Sequence, residues 1–315
     1  MPDTSNRMAR KTENLSQYEI WLLAARPKTL PAAAAPVIVG SAVAFYDGSF
    51  RVGPALAALF GALLLQIGAN LANDVFDFHR GADTVERLGP ARVTQSGLLS
   101  PAQVLSGMWV CFGLATIMGV YLTAVAGWPV VLIGAASILA AIAYTGGPIP
   151  LGYYGLGDLT VFLFFGPVAV CGTYYVQAGD VGLHPILSSL PMGFLITAIL
   201  VVNNLRDIET DRAAGKRTLA VRLGESATRW EFLLLIVGAY LVAMFMVLFR
   251  VTPFWVLLSW LSTPLAASMV RDVWREKGRP LNSVLAGTGR LTLVFALLFA
   301  LGLIVSRLLS ESVVN

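Results

Sequence analysis

The chain has 315 residues, of which 57% are hydrophobic and 13% charged, and its formal net charge is +4. Soluble domains carry about 25% charged residues, so this composition excludes an ordinary soluble protein. Its 30 glycines follow no collagen-like period, and two cysteines, Cys111 and Cys171, are too few for a disulfide scaffold. We therefore expect an all-α, polytopic membrane protein.

Apolar runs long enough to cross a bilayer recur along the chain. Nine candidate spans lie near residues 30–46, 55–73, 103–123, 128–145, 158–177, 185–203, 231–249, 253–270 and 290–309. A polar segment of residues 1–29 precedes them without the cleavage site of a signal peptide, and residues 310–315 form a short tail. We expect residues 30–309 to form a single domain that spans the lipid bilayer.

Basic residues are distributed unevenly between the two sides of this bundle. If the N-terminus is cytoplasmic, all but three of the 22 lysines and arginines fall on the cytoplasmic side, the exceptions being Arg51, Arg250 and Arg307. This is the positive-inside pattern of membrane proteins. It predicts a cytoplasmic N-terminus and an external C-terminus, and it explains the net positive charge without a nucleic-acid partner.

Two acidic clusters follow apolar runs, at the predicted cytoplasmic ends of the second and sixth spans. Their members are Asn70, Asp74 and Asp77 in the first cluster and Asn203, Asp207 and Asp211 in the second. Intervals of three and four residues place each set on one face of a helix. Carboxylates crowded at a helix C-terminus repel one another and oppose the helix dipole. Mg²⁺, or Mn²⁺, would relieve that repulsion while binding a substrate diphosphate.

Two alternatives to a metal site stay open for these clusters. In the first alternative, the clusters are polar only because they lie at helix ends that face water, and they have no function. Carboxylates at the edge of a membrane span also serve as proton or cation pathways in transporters. Nearby cations favour diphosphate binding, because Arg80 follows the first cluster and Lys216 and Arg217 follow the second. Gly215 would let the backbone turn back toward the second cluster.

Several longer strings carry a resemblance to a known family. The Asn-x-x-x-Asp-x-x-Asp string after the second span and the Asp-x-x-x-Asp string after the sixth resemble the UbiA superfamily of intramembrane prenyltransferases. The strings RPKTL, YTGGPIPLGYYGLGD, NNLRDIETDRAAGKRTLAVRLG and LNSVLAGTGRL are similar to the menaquinone-pathway branch, which acts on 1,4-dihydroxy-2-naphthoate. The resemblance covers residues 19–309.

The resemblance implies a nine-helix bundle with a cytoplasmic-side active site, in the cytoplasmic membrane of a prokaryote. It implies Mg²⁺-dependent transfer of a polyprenyl group from polyprenyl diphosphate to 1,4-dihydroxy-2-naphthoate, with loss of CO₂ and diphosphate, to give demethylmenaquinone. The six cluster residues would then hold the diphosphate through the metal. Within the superfamily, 4-hydroxybenzoate, homogentisate, a glyceryl phosphate and haem are alternative acceptors.

Further candidates lie around the predicted fourth and fifth spans. Tyr144, Tyr153, Tyr154 and the aromatic residues of the fifth span are candidates to offer electron-rich faces to an allylic cation, although packing or lipid contact is the commoner use of a single aromatic residue. Tyr144, at the cytoplasmic end of a span, is the strongest of these candidates. Many superfamily members have Tyr-x-x-Lys where Tyr144 is followed by Thr-Gly-Gly, so a lysine is missing there. We expect Lys28 and Asp158 to contact the acceptor. Two other roles are equally consistent with the sequence. Lys28 would then serve only as one of the basic residues that set the membrane topology, and Asp158 would serve as the N-cap of the fifth helix.

Overall fold

The computed structural model describes residues 15–81, 88–90 and 92–314, and every regular element in this part of the chain is helical. Residues 1–14, which belong to the predicted cytoplasmic segment, lie outside it. The α-helices in chain order are α1 (Gln17–Ala25), α2 (Leu30–Tyr46), α3 (Val52–His79), α4 (Pro101–Ala126), α5 (Pro129–Ala143), α6 (Gly157–Leu163), α7 (Ala169–Ala178), α8 (Leu183–Arg206), α9 (Ile208–Ala213), α10 (Leu219–Leu223), α11 (Glu225–Leu248), α12 (Thr263–Arg275) and α13 (Leu281–Val314).

Seven helical segments of the described chain are long and apolar enough to cross a membrane. They are Gln17–Tyr46, Val52–His79, Pro101–Ala126, Gly157–Ala178, Leu183–Arg206, Glu225–Leu248 and Leu281–Ser312. These segments confirm the polytopic all-α class. The first and last begin before the predicted spans at residues 30 and 290, and α13 continues to Val314, within the predicted tail.

The other two predicted spans take a different form. The run at 128–145 is α5, which has only 15 residues because Pro129 opens it and a Gly-Gly-Pro string follows it. The run at 253–270 begins as a 3₁₀-helix, Phe254–Ser262, and continues into α12. Crossing by these two elements stays a prediction.

Helix α8 lies at the centre of the bundle. In its most apolar window 67% of the residues are buried, against 22% for α3 and for α4. Close approach at Gly193 allows this burial, since a Cβ added to Gly166 would lie 2.9 Å from the Cα of Gly193. Of the second acidic cluster, this buried helix carries Asn203, and Asp207 follows directly after its last residue.

The structure corrects one prediction about that cluster. Helix α8 ends at Arg206, and Asp207 adopts φ −100° and ψ 9° before α9 begins at Ile208. The main-chain N–H of Asp207 is shared between the carbonyls of Asn203 and Asn204, which is common at a helix terminus. A single helical face for Asn203, Asp207 and Asp211 is therefore wrong. The first cluster lies on one uninterrupted helix, α3.

Candidate active site

Two main-chain amides hold the Asp74 carboxylate of the first cluster. Asp74 is 2% exposed, and its two oxygens accept hydrogen bonds from Val93 N at 3.2 Å and Thr94 N at 3.1 Å. Both donors belong to the loop between α3 and α4. A buried carboxylate is costly unless it is paired or hydrogen-bonded, so these two amides compensate the burial of Asp74.

Asp77 lies one helical turn further along α3 and has side-chain partners. Its Oδ2 lies 2.9 Å from the Arg92 guanidinium, and its Oδ1 accepts a hydrogen bond of 2.7 Å from the Tyr153 hydroxyl. Arg92 and Asp77 are both almost fully buried. Charge-assisted hydrogen bonds of this kind are strong, so they fix the orientation of the carboxylate.

The second cluster has an arginine inside its own sequence. The buried Arg206 guanidinium donates to Asp207 through Nε at 2.8 Å and through Nη2 at 2.5 Å. The same Nη2 donates to Asn203 Oδ1 at 2.9 Å. The amide and carboxylate oxygens of this cluster therefore share one cation.

Lys216 joins the two clusters. Its Nζ lies 3.7 Å from Asp77 Oδ1 and 3.5 Å from Asp211 Oδ1. Gly215, with φ +74°, turns the chain so that Lys216 N donates to Asp211 O at 2.9 Å. Burial raises the pKa of Asp211 to about 6, and the positive charge of Lys216 opposes that rise. The carboxylates of α3 and α9 therefore face each other across one ammonium group.

The ring of Tyr153 lies beside the ammonium group of Lys216. Lys216 Nζ lies 4.7 Å from the ring centroid and the Arg80 guanidinium carbon lies 5.4 Å from it, both within cation–π range. Arg80 is exposed and also donates to the carbonyl of Gly147. The side chain of Arg217 is exposed, while its main-chain N–H donates to Tyr153 O at 2.8 Å. Of the three predicted diphosphate-binding cations, Lys216 contacts both clusters.

Asn70 is turned toward the N-terminal helices. Its Nδ2 donates to Ala25 O at 3.0 Å and to Thr29 Oγ1 at 2.9 Å. Lys28 precedes Thr29 in the 3₁₀-helix Pro27–Thr29, and its side chain is exposed. The start of the first span is thus fastened to the first acidic cluster through Asn70.

Tyr144 and Asp158 meet around a close backbone approach. A Cβ added to Gly157, the residue before Asp158, would lie 3.0 Å from the Tyr144 hydroxyl oxygen. Asp158 is 7% exposed, and neither carboxylate oxygen accepts a hydrogen bond from another described residue. Leu156 is the N-cap of α6 and no side chain caps that helix, so the N-capping alternative for Asp158 is wrong. Such a carboxylate is available to a ligand.

The donor set fits a metal ion that arrives with its substrate. Asp74, Asp77, Asp207 and Asp211 supply the oxygen atoms that Mg²⁺ prefers. Within the described ranges, no three histidine, cysteine or acidic side chains converge into a ready-made metal cage. Mg²⁺ is usually held by one or two carboxylates together with waters and substrate phosphates, so a preformed cage is not needed.

Sequence reasoning missed the roles of three buried or half-buried partners. It treated Arg92 and Arg206 as topology determinants and gave Asn282, on α13, no role. Arg206 stood out in the sequence in one respect, because it interrupts an acidic motif at the end of an apolar helix, where an unpaired charge is costly. Arg92 and Asn282 lie 15 and 76 residues from their partners Asp77 and Arg206, and neither pairing has a sequence signal.

Known proteins resemble this chain over most of its length. Residues 33–284 match the UbiA prenyltransferase family. The chain is 39% identical over 302 residues to 1,4-dihydroxy-2-naphthoate octaprenyltransferase of Escherichia coli, covering 94% of this chain and 98% of the relative. It is 40% identical to the protein of the same name from Mycobacterium tuberculosis, covering 91% and 97% of the two chains.

A solved structure shows the same fold at lower identity. The UbiA homolog from Archaeoglobus fulgidus, bound to GPP and Mg²⁺, superposes with a TM-score of 0.64 over 90% of this chain and 99% of that one, at 14% identity. The transporter alternative is set aside, because the matching family and the named relatives are prenyltransferases. The chain belongs to the UbiA prenyltransferase family and is an integral membrane enzyme of that family.

Proposed function

We propose that this prenyltransferase moves a polyprenyl group from polyprenyl diphosphate to 1,4-dihydroxy-2-naphthoate, with Mg²⁺ as cofactor and release of CO₂ and diphosphate. The observation that carries the proposal is the meeting of the two acidic clusters at Lys216, 3.7 Å from Asp77 and 3.5 Å from Asp211. Opposed carboxylates with a cation between them form a site for a metal-bound diphosphate. The names of the relatives from Escherichia coli and Mycobacterium tuberculosis support the acceptor.

Diphosphate binding falls to the groups around that meeting point. Asp74, Asp77, Asp207 and Asp211, together with Asn70 and Asn203, are the proposed metal-side ligands. When bound, Mg²⁺ supplies Lewis-acid stabilisation of the departing diphosphate. Lys216 adds a positive charge at the same place, and Arg80 and Arg217 lie further out as candidates for the distal phosphate.

Transfer then requires an allylic carbon that is protected from water. As the bond between this carbon and the diphosphate oxygen breaks, the faces of Tyr144 and Tyr153 stabilise the developing positive charge. The ring carbon that bears the acceptor carboxylate attacks the allylic carbon. The bond to that carboxylate then breaks, CO₂ leaves, and the electron pair of the broken carbon–carbon bond restores the aromatic ring, so the reaction needs no net proton transfer. The product of this step is the hydroquinone, and its conversion to the quinone, demethylmenaquinone, would need a separate two-electron oxidation.

Acceptor binding is assigned to Asp158 and Lys28. The carboxylate oxygens of Asp158 accept no hydrogen bond from another described residue, so the side chain can accept a hydrogen bond from an acceptor hydroxyl. Lys28 lies beside Thr29, which contacts Asn70 of the first cluster, and its ammonium suits the acceptor carboxylate. The prenyl tail would extend between the helices into the bilayer.

Transfer of a labelled polyprenyl group by the purified protein tests the proposal. The assay pairs polyprenyl diphosphate with 1,4-dihydroxy-2-naphthoate, and separately with 4-hydroxybenzoate and homogentisate, in Mg²⁺ and in EDTA. We expect prenylated naphthoate and CO₂ in Mg²⁺ alone. Product with another acceptor only would overturn the naphthoate assignment, and full activity in EDTA would overturn the metal requirement.

A further inference from the structure

Asn282, near the start of α13, uses both ends of its side-chain amide to join two distant segments. Its Oδ1 accepts a hydrogen bond of 2.7 Å from Arg206 Nη1, and its Nδ2 donates to Leu88 O at 2.9 Å. The residues it joins, Leu88 and Arg206, are 118 positions apart in the sequence. Neither bond satisfies the backbone of its own helix, so the side chain is not a helix cap.

The contact with Arg206 is tight on the loop side as well. Gly89 packs against the guanidinium, because a Cβ added there would lie 2.9 Å from Nη2 and 3.1 Å from Cζ of Arg206. Gly89 therefore rests against the same side chain that holds Asp207 and Asn203, and the neighbouring Leu88 is held by Asn282. Three segments meet at this guanidinium: the second acidic cluster, the loop after α3 and the start of α13.

The same loop reaches the first acidic cluster within a few residues. Arg92 pairs with Asp77 at 2.9 Å, and the amides of Val93 and Thr94 bind Asp74. The anchor at Leu88 lies four residues before Arg92. A fixed anchor so close along the chain restricts where residues 92–94 can lie.

We infer that Asn282 is a positioning residue of the prenyl-transfer site, which sets the first cluster through the loop and the second cluster through Arg206. It touches no carboxylate of either cluster in the described structure and acts through these two partners. This inference rests on the proposed function for its effect on catalysis. Its effect on the loop is independent of the reaction.

Three variants separate the two hydrogen bonds. Asn282→Ala removes both bonds. Asn282→Asp keeps an acceptor for Arg206 but cannot donate to the carbonyl of Leu88. Gly89→Ala disturbs the junction from the loop side, and Ser283→Ala is the matched control, because the exposed Ser283 hydroxyl donates to Pro280 O in its own turn.

Hydrogen exchange of the Val93 and Thr94 amides, read by mass spectrometry on peptides covering residues 92–99, is the readout that does not depend on turnover. We expect Asn282→Ala, Asn282→Asp and Gly89→Ala each to speed this exchange about tenfold, while Ser283→Ala leaves it unchanged. In the transfer assay, Asn282→Ala should raise the KM for polyprenyl diphosphate about tenfold and change kcat by less than about threefold. Asn282→Asp should raise that KM less, because Arg206 stays held.

Several results would overturn the inference. Unchanged exchange at Val93 and Thr94 in both Asn282 variants would show that the loop does not depend on this side chain. Faster exchange with an unchanged KM would make Asn282 a structural residue only. If the wild-type protein transfers no prenyl group, the proposed function fails, and thermal stabilisation by polyprenyl diphosphate with Mg²⁺ replaces KM as the measure. Equal stabilisation of wild type and Asn282→Ala would then overturn the positioning role.

Discussion

The two acidic clusters share the Asn-x-x-x-Asp spacing, yet the protein builds them differently. In the first, α3 continues to His79, so Asn70, Asp74 and Asp77 lie on one continuous helix. In the second, α8 stops at Arg206, and a separate six-residue helix, α9, carries Asp211. The last carboxylate of the second cluster therefore lies on a different helix from Asn203, beyond the break at Asp207.

Their counter-ions differ in the same way. Arg92, the partner of Asp77, lies 15 residues later in the chain, in a loop that folds back toward α3. Arg206 is the sequence neighbour of its partner Asp207. The asparagines also differ, because Asn70 donates to the N-terminal helices and Asn203 accepts from Arg206. The two motifs therefore place their amide and carboxylate side chains at similar intervals along the chain. The surrounding segments determine which partners those side chains contact.

The largest effects should come from the carboxylates that pair with these arginines. We expect Asp77→Asn and Asp207→Asn each to lower kcat/KM for prenyl transfer roughly 100- to 1000-fold, because each removes a negative charge from the metal–diphosphate site at nearly constant shape. The measurement is product formation at saturating Mg²⁺. Asp272→Asn serves as control, since Asp272 lies on α12 beside Arg271. An equal loss in the control would assign the effect to protein stability, and full activity in either cluster variant would remove that cluster from the site.

A smaller but sharper effect separates Lys216 from Arg217. Lys216→Met should lower kcat/KM roughly 10- to 100-fold, because it removes the cation between Asp77 and Asp211. Arg217→Met, one residue away with an exposed side chain, should lower it less, by about three- to fivefold, because Arg217 is a candidate for the distal phosphate only. Equal losses would show that the two clusters do not depend on a shared cation.

Tyr153 tests how far the first cluster depends on side chains outside α3. Tyr153→Phe keeps the ring near Lys216 and deletes the hydroxyl that donates to Asp77 at 2.7 Å, so we expect about a tenfold loss in kcat/KM. Tyr154→Phe is the control, because Tyr154 is 48% exposed. Unchanged activity in Tyr153→Phe would mean that Asp77 is held in place without the Tyr153 hydroxyl.

Much of the fold could be predicted from the sequence because its signals are local. Apolar length predicts the seven long membrane helices, and helical spacing predicts that Asp74 and Asp77 share a face. The break after Arg206 could not be predicted in this way, because Asn203 to Asp211 has good helical spacing and no proline or glycine. At this break Asp207 pairs with Arg206. Helical periodicity does not predict such a pairing between sequence neighbours.

The sequence predicts candidate ligands for the site, and their role as ligands stays a prediction, but it does not predict the partners that hold them. Carboxylate spacing selects Asp77 and Asp207, but the contacts of Arg92, Tyr153 and Asn282 are long-range and follow from loop geometry. Lys216 and Arg217 look equivalent in the sequence, and the turn at Gly215 gives them different places. Tertiary contacts of this kind become visible only in three dimensions.

The smallest expected effect concerns Asn70 and addresses stability. Thr29 Oγ1 accepts a hydrogen bond of 2.9 Å from Asn70 and itself donates to Arg26 O. Thr29→Val removes these bonds but leaves Asn70 bound to Ala25 O, so we expect a loss of about 1 kcal/mol in the free energy of unfolding. Thermal unfolding of the purified protein should show a midpoint lower by roughly 2–4 °C, with kcat/KM within about twofold of wild type.

Thr263→Val is the matched control for this change, because the hydroxyl of Thr263 donates to Trp260 O within its own helical turn. The control should leave the midpoint nearly unchanged. A large loss of activity in Thr29→Val at an unchanged midpoint would contradict this expectation, because the hydrogen bond between Asn70 and Thr29 would then serve the reaction and not the stability of the fold. A lower midpoint with normal kinetics would establish that the first asparagine fastens the N-terminal helices, whereas the second accepts a hydrogen bond from the arginine of its own cluster.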